Sequence, residues 1–405
     1  MDALIAAAAR ALAVGDPLAA LKRVGLRDDA SALALRGIAM AQLGDLVRAR
    51  SLLRDAARRF SPREAVARAR CVVAEAEIAL VSRDLAWSAK SLASAASVLQ
   101  RHGDTVNAAH ARNLEVRHLV LIGRLDAAES VLAKLDPSPL PPALRATHEL
   151  AVAGLATRRL NTTVARAALA RAEAAAHTSG IPALTAEVES AWRLLDAPAA
   201  RLIARGGERT LKLEEVEALL ASKALVVDAC RHVVHESGET LSLARRPVLF
   251  TLARLLAEAW PGDISRDTLV ARAFRAKRAD ESHRARLRVE MGRLRRVLRD
   301  IADVNATERG FALLPRRASE IVVLARPVEE EFAAVMALLA DGESWSSSAL
   351  ALALRTSQRS VQRALDSLAL SGKVRAFGRA RSRRWMTPPI AGITTTLLLP
   401  APLPE

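Results

Sequence analysis

At 405 residues the chain has room for about two to four domains, and a composition 51% apolar, 3% aromatic and free of tyrosine favours helices packed through Ala and Leu. The net charge of +16 and pI of about 11.1 suggest a polyanionic partner. Two cysteines exclude a disulfide framework, and the lack of a long apolar stretch or a basic leader argues against a membrane span or secretory signal, so a cytoplasmic protein is expected.

Residues 1–205 read as consecutive short helices with little strand signal. In ALALRGIAMAQLGDLVRARSLLRDAARRFSP (32–62), Gly37 and Met40 fall on one helix and Gly44-Asp45 makes a turn. Ala49, Leu53 and Ala56 then lie on a second helix. This pattern resembles the tetratricopeptide repeat, whose small residues let paired helices approach closely. Gly123, Ala128 and Leu132 repeat the offsets within 113–135, and 71–100 and 149–178 have suitable length and Ala content. The expectation is an α-solenoid of about five degenerate hairpins, with Pro-rich DPSPLPP (136–142) as a loop inside it. The resemblance implies a sensor or docking arm for a protein or small ligand.

ARGGERT (204–210) reads as the hinge that ends this region, and 206–223 as hinge plus linker helix, LEEVEALLAS. ALVVDACRHVVHESGETLSLARR (224–246) holds two β-prone runs around Glu236-Ser237-Gly238. A Leu-rich helix (247–260), a Pro261-Gly262 turn and a helix from Ser265 through Phe274 follow. Next comes RLRVEMGRLRRVL (286–298), where Leu287, Met291, Leu294 and Leu298 form one apolar stripe and the arginines fan over the rest of the cylinder. NATERGFALLP (305–315) reads as a short hairpin.

This order of strands, helices, basic helix and hairpin resembles the OmpR/PhoB-type winged helix, over residues 224–316. Arg293-Leu294-Arg295 is the part of the basic helix closest to that family's recognition helix, and Gly310-Phe311-Ala312-Leu313 stands where the family has Gly-Tyr-x-Leu in its wing. Glu290, where the family often has His, and Gly292 in mid-helix depart from the pattern. The resemblance implies insertion of this helix into the major groove, where Arg can read guanine and neighbouring cations can neutralise phosphates. The implied contacts are Arg284, Arg286, Arg288, Val289, Gly292, Arg293, Arg295 and Arg296, with Thr307 and Arg309 of the hairpin.

Residues 326–387 resemble a second winged helix-turn-helix. Ser357 would cap its second helix, leaving Gln358, Arg359, Ser360, Gln362 and Arg363 exposed, and Arg379, Arg381, Arg383 and Arg384 would lie on its wing. Residues 266–300 carry 12 basic and 5 acidic side chains, and 355–384 carry 9 and 1, so the excess charge concentrates in these two places. The stretch between the winged helices reads as a linker with an extended reach of ~45 Å, against about 34 Å for one turn of B-DNA. The tail, 388–405, holds a short β-prone run suited to pairing with a sheet edge or another subunit, which makes a homodimer one expected state.

Cys230, His232 and His235 do not make a metal site on strand geometry, since His235 points away from the other two. No phosphate-cradling loop, carboxylate pair or catalytic Ser/His/Asp context appears, so neither cofactor nor enzyme activity is expected. The expected protein is mainly α, a tetratricopeptide-like α-solenoid followed by two winged helices with small sheets. Its expected role is a bacterial transcription regulator bound to double-stranded DNA. The alternatives are a paired-winged-helix replication initiator and an interaction scaffold whose winged helices dock proteins.

Overall fold

The computed structural model describes residues 2–82, 89–274, 280–326, 330–339, 345–354, 356–370, 373–378 and 383–387. The fold is mainly helical with small sheets, and the chain divides into two units, Met1–Leu195 and Asp196–Pro388.

Aspartate and glycine punctuate the first unit. Its helices are α1 (Ala3–Ala13), α2 (Pro17–Val24), α3 (Ala30–Gln42), α4 (Leu46–Arg59), α5 (Ala65–Val81), α6 (Ala89–Arg101), α7 (Thr105–Leu121), α8 (Leu125–Leu132), α9 (Pro142–Arg158), α10 (Thr162–Ser179) and α11 (Pro182–Asp196). Asp2, Asp16, Asp29, Asp45, Asp104 and Asn161 each accept a first-turn backbone N–H, satisfying donors that a helix start leaves unpaired. Gly44 takes φ 89° between α3 and α4, so the turn expected at Gly44-Asp45 forms, and the same pair recurs at 15–16 and 103–104. A Cβ on Gly37 would stand 2.9 Å from Leu53 Cγ and 3.1 Å from the Ala49 carbonyl, so the close approach of α3 and α4 depends on glycine there.

The core of this unit is a series of local clusters joined by shared helices. α5 contributes Cys71 and Ile78 to a cluster with α1–α4, and Ala69, Val73 and Leu80 to one with α6 and α7. α7 passes Val116 and Val120 on to a cluster with α8 and α9, and α9 passes Ala143 and Ala146 on to α10 and α11. Buried polar pairs follow the same helices: Glu77 of α5 meets His110 Nε2 of α7 at 2.9 Å, and Asn113 of α7 meets His148 Nδ1 of α9 at 3.1 Å.

Burial holds His148 and His118 below the ordinary imidazole pKa, against the opposing pull of Glu149 and Glu115. Their neutral form is favoured in the folded chain, whereas the unfolded chain protonates near pH 6.5. The unfolded state therefore binds more protons, and stability falls as pH drops from about 6.5 toward the lowered folded values. For a unit of this size each ~1 kcal/mol lost lowers the melting midpoint by ~2–4 °C. Thermal melts from pH 7.5 to 5 are expected to show this fall, with a shallower slope in His148→Gln. An unchanged slope in that variant would contradict the role of His148.

The second unit begins with a correction. Residues 204–210 are not a hinge: β1 (Ala200–Ala204) and β2 (Gly207–Leu211) form an antiparallel hairpin, and α12 (Leu213–Ala221) packs beside it. Arg205 and Gly206, at φ 48° and 78°, make its two-residue turn, with the positive φ at both positions that such hairpins need. Where two strands were expected in 224–246 there are three, β3 (Leu225–Asp228), β4 (Val233–Glu236) and β5 (Glu239–Ser242). The extra reversal at 229–232 is closed by Asp228, whose carboxylate accepts the N–H groups of Cys230 and Arg231 at 2.7 and 3.1 Å.

A second correction concerns the expected linker. Its last part is β9 (Ile321–Ala325), parallel to β3 and antiparallel to β1 in a six-stranded sheet of order β2-β1-β9-β3-β4-β5. Every residue of β9 is buried, because Ile321 and Val323 pack on one face of the sheet while Val322 and Leu324 pack with α12 on the other. Only residues 326–329 separate β9 from the next helix, so the free reach is about 15 Å and not ~45 Å.

The sheet also fixes where this unit can be cut. A fragment starting at Asp196 keeps β1 and is expected to fold. One starting at Gly207 loses β1, unpairing β2 and one side of β9, and is expected to lose roughly 3 kcal/mol or more from apolar burial alone. Equal urea midpoints for the two fragments would contradict this.

On the first face of the sheet lie α13 (Pro247–Ala259), α14 (Arg266–Phe274) and α15 (Glu281–Leu298). A small sheet of order β6-β8-β7 completes the group, built from β6 (Ile264–Ser265), β7 (Ala302–Ala306) and β8 (Gly310–Pro315). After β9 come α16 (Glu330–Leu339), α17 (Ser347–Ala353), α18 (Gln358–Leu370), β10 (Arg375–Phe377) and β11 (Arg384–Met386). They enclose a core of their own around Leu339, Leu350, Val361, Leu365 and Trp385. The tail, 388–405, lies outside the described residues.

Candidate nucleic-acid interface

The basic helix forms as its spacing predicts. Asp280 caps α15 through the His283 N–H, and Leu287, Met291, Leu294 and Leu298 are all buried on one stripe. At 100° per residue, Ala285, Val289, Gly292, Arg293 and Arg296 face the opposite way. Val289 is 55% exposed, and a Cβ on Gly292 would meet nothing within 4 Å. The outward face is thus narrow and open along its middle, with cations around it.

The arginines differ in what holds them. Arg288 pairs with Glu281 at 2.8 Å, Arg293 with Glu290 at 2.9 Å and Arg284 with Asp267 of α14 at 3.5 Å. Arg286 lies 4.6 Å above the Phe274 ring. Among the described residues Arg296 has no ionic or hydrogen-bonded partner. The pairs of Arg284 and Arg288 are exposed and contribute no more than ~1 kcal/mol each, so phosphates can replace these carboxylates at small cost. Glu290 is largely covered, which fixes Arg293 more firmly.

Two of the expected contacts have partners within the fold. Arg295 donates to the Val304 carbonyl at 2.7 Å and lies 5.7 Å from the Phe311 ring, tying α15 to the β7–β8 hairpin. Thr307 donates to Asp263 at 2.6 Å and accepts from the Gly310 N–H at 2.9 Å, so its hydroxyl shapes the hairpin tip. Arg309 beside it is 79% exposed, 3.9 Å from Asp263. Sequence reasoning missed Arg266, which donates to the Glu308 and Thr307 carbonyls at 2.8 and 2.9 Å and lies 5.5 Å from Phe311. Arg266 and Arg295 together hold the Phe311 ring and aim the hairpin. The signal available was the aromatic residue of Gly310-Phe311, which needs cover at a sheet edge.

In the C-terminal group, Ser357 caps α18 as expected, accepting the Ser360 N–H at 3.1 Å. Its hydroxyl also meets that of Ser360 at 2.9 Å. Gln358 donates to Ser347 of α17 at 3.0 Å and Gln362 donates to Asp366 at 2.9 Å, so neither amide is uncommitted. Arg359 and Arg363 are exposed and, among the described residues, unpaired. Arg383 lies 4.5 Å above Trp385, and Arg384 donates to the Arg383 carbonyl. Arg379 and Arg381 lie outside the described residues.

The remaining sequence candidates separate. Cys230 is exposed at its turn, His232 stacks on Phe250 with ring centroids 4.4 Å apart, and His235 Nδ1 meets Thr240 Oγ1 at 2.8 Å. Among the described residues no group of three or more His, Cys, Asp or Glu could hold a metal ion, and no helix is long and apolar enough to cross a membrane. No family model, curated protein or solved structure matches the chain.

Proposed function

We propose that the chain is a bacterial cytosolic regulator of transcription that binds double-stranded DNA through its second unit. In this reading residues 224–316 act as an OmpR/PhoB-like winged helix, with α15 as the groove-entering helix and β7–β8 as the wing. Residues 326–387 act as a second winged helix. The helices of the first unit act as a tetratricopeptide-like solenoid that receives a protein or small ligand. One observation carries the reading most: α15 is anchored by a fully apolar stripe while its opposite face offers an open Val289–Gly292 strip edged by arginines. Such a strip lets the helix backbone approach a groove closely with guanidinium groups on either side.

The test is a genome-wide footprint of the full-length protein on fragmented genomic DNA. Protection of a recurring sequence upstream of genes supports the proposal. Protection confined to one set of repeats points to a replication initiator, and absence of salt-sensitive binding points to a protein-docking scaffold.

A further inference from the structure

The helix between α7 and α9 is short. α8 runs for 8 residues, against 14 in α4, 13 in α6 and 18 in α10. After Leu132 the chain continues as the Pro-rich loop, whose Leu140 turns inward and is buried. Leu140 does not fill the space. A cavity of about 440 Å³ remains between α6, the first half of α7, the end of α8 and this loop. That volume lies in the range of small-molecule sites, ~300–1,000 Å³.

Its lining is selective. Val106, Ala109, Val131, Leu135 and Leu140 give an aliphatic wall, and no aromatic side chain offers a flat platform. The polar groups of the lining are Gln100, Thr105, Arg112, Lys134 and Asp136. Lys134 has no ionic or hydrogen-bonded side-chain partner among the described residues, and Arg112 lines the cavity while half-buried in a pair with Glu115 at 2.8 Å. Asp136 is occupied by its own loop, where it accepts the Ser138 N–H at 2.9 Å and is held below the usual carboxylate range by that bond. Thr105 belongs to the first turn of α7, whose dipole adds positive potential on the same side.

From this geometry we infer that the cavity beside α8 is a binding site for an aliphatic carboxylic acid, its chain against Val106, Ala109, Val131 and Leu135 and its carboxylate held by Arg112 and Lys134. Aliphatic walls select a flexible chain of ~8–10 carbons over a planar ring, and two cations select an anion over an alcohol of equal length. The inference gives a ligand to the sensing role proposed above, and it is tested without DNA.

The measurement is isothermal titration of the full-length chain with octanoate and with 1-octanol. Octanoate is expected to bind saturably, and 1-octanol about tenfold or more weaker, which corresponds to one charge-assisted contact of ~1.4 kcal/mol. Ala109→Trp, which fills the cavity, is expected to abolish octanoate binding. Arg112→Gln is expected to weaken it about tenfold while leaving 1-octanol unchanged. Thermal melts check that both variants remain folded, and Val131→Trp replaces Ala109→Trp if that variant does not fold. Equal binding of acid and alcohol, or full octanoate affinity in the cavity-filled variant, would overturn the site. Octanoate binding in a protein with no DNA affinity would leave the site intact and remove the regulatory reading alone.

Discussion

Gly310→Ala is expected to lower the melting midpoint of the second unit by ~10 °C or more. A Cβ at this position would stand 1.8 Å from the Ile264 carbonyl oxygen and 2.9 Å from Ser265 Cα, both backbone atoms that cannot step aside. Gly310 pairs with Ser265 where β6 meets β8, so the clash opens the contact through which the hairpin reaches α14. The expected loss exceeds ~4 kcal/mol, in the range kept for forced backbone shifts and buried charges. Leu294→Asp, in the fully buried stripe of α15, is expected to cost ~3–5 kcal/mol by leaving a carboxylate unpaired in the core. Gly292→Ala tests the opposite case. Its Cβ meets nothing, so it is expected to stabilise α15 by ~1 kcal/mol. Urea denaturation of the three variants checks the order, and a Gly310→Ala variant as stable as the native chain would contradict the β6–β8 geometry.

These positions also mark what could be read in advance. The apolar stripe of α15, the Gly44-Asp45 turn and the Ser357 cap are local, so their residues sit within one or two turns of each other and spacing reveals them. β1 was not legible because its partner β9 lies about 120 residues away, and because Arg205-Gly206 lacks the Asn or Asp that usually announces such a turn. β9 did carry a signal, the unbroken apolar run Ile-Val-Val-Leu-Ala, which fits a strand covered on both faces. The partners of the arginines were hidden for another reason. Asp263 and Asp267 lie outside α15 and far along the chain from Arg309 and Arg284, so the charge pattern could not show which of those cations are held internally.

The Arg293→Ala, Arg296→Ala double variant is expected to bind DNA about 30-fold or more weaker than the native protein, from ~1–3 kcal/mol per lost contact. Arg296→Ala is expected to keep the stability within ~0.5 kcal/mol, and Arg293→Ala to cost ~1 kcal/mol or more, because it leaves the largely covered Glu290 without its partner. Arg295→Ala is expected to differ in kind, because that guanidinium holds the Val304 carbonyl and the Phe311 ring. It should lower stability together with affinity. An Arg295→Ala protein that loses affinity at native stability would place Arg295 on the DNA instead.

The salt dependence of binding by the full-length chain tests the DNA reading most directly. Two modules that neutralise ~6–10 phosphates give a log–log slope of roughly −5 to −9. The double variant is expected to flatten that slope by about 2, since each phosphate contact contributes ~0.9. A slope near zero, or a double variant with native slope and affinity, would contradict the assignment of α15 to DNA.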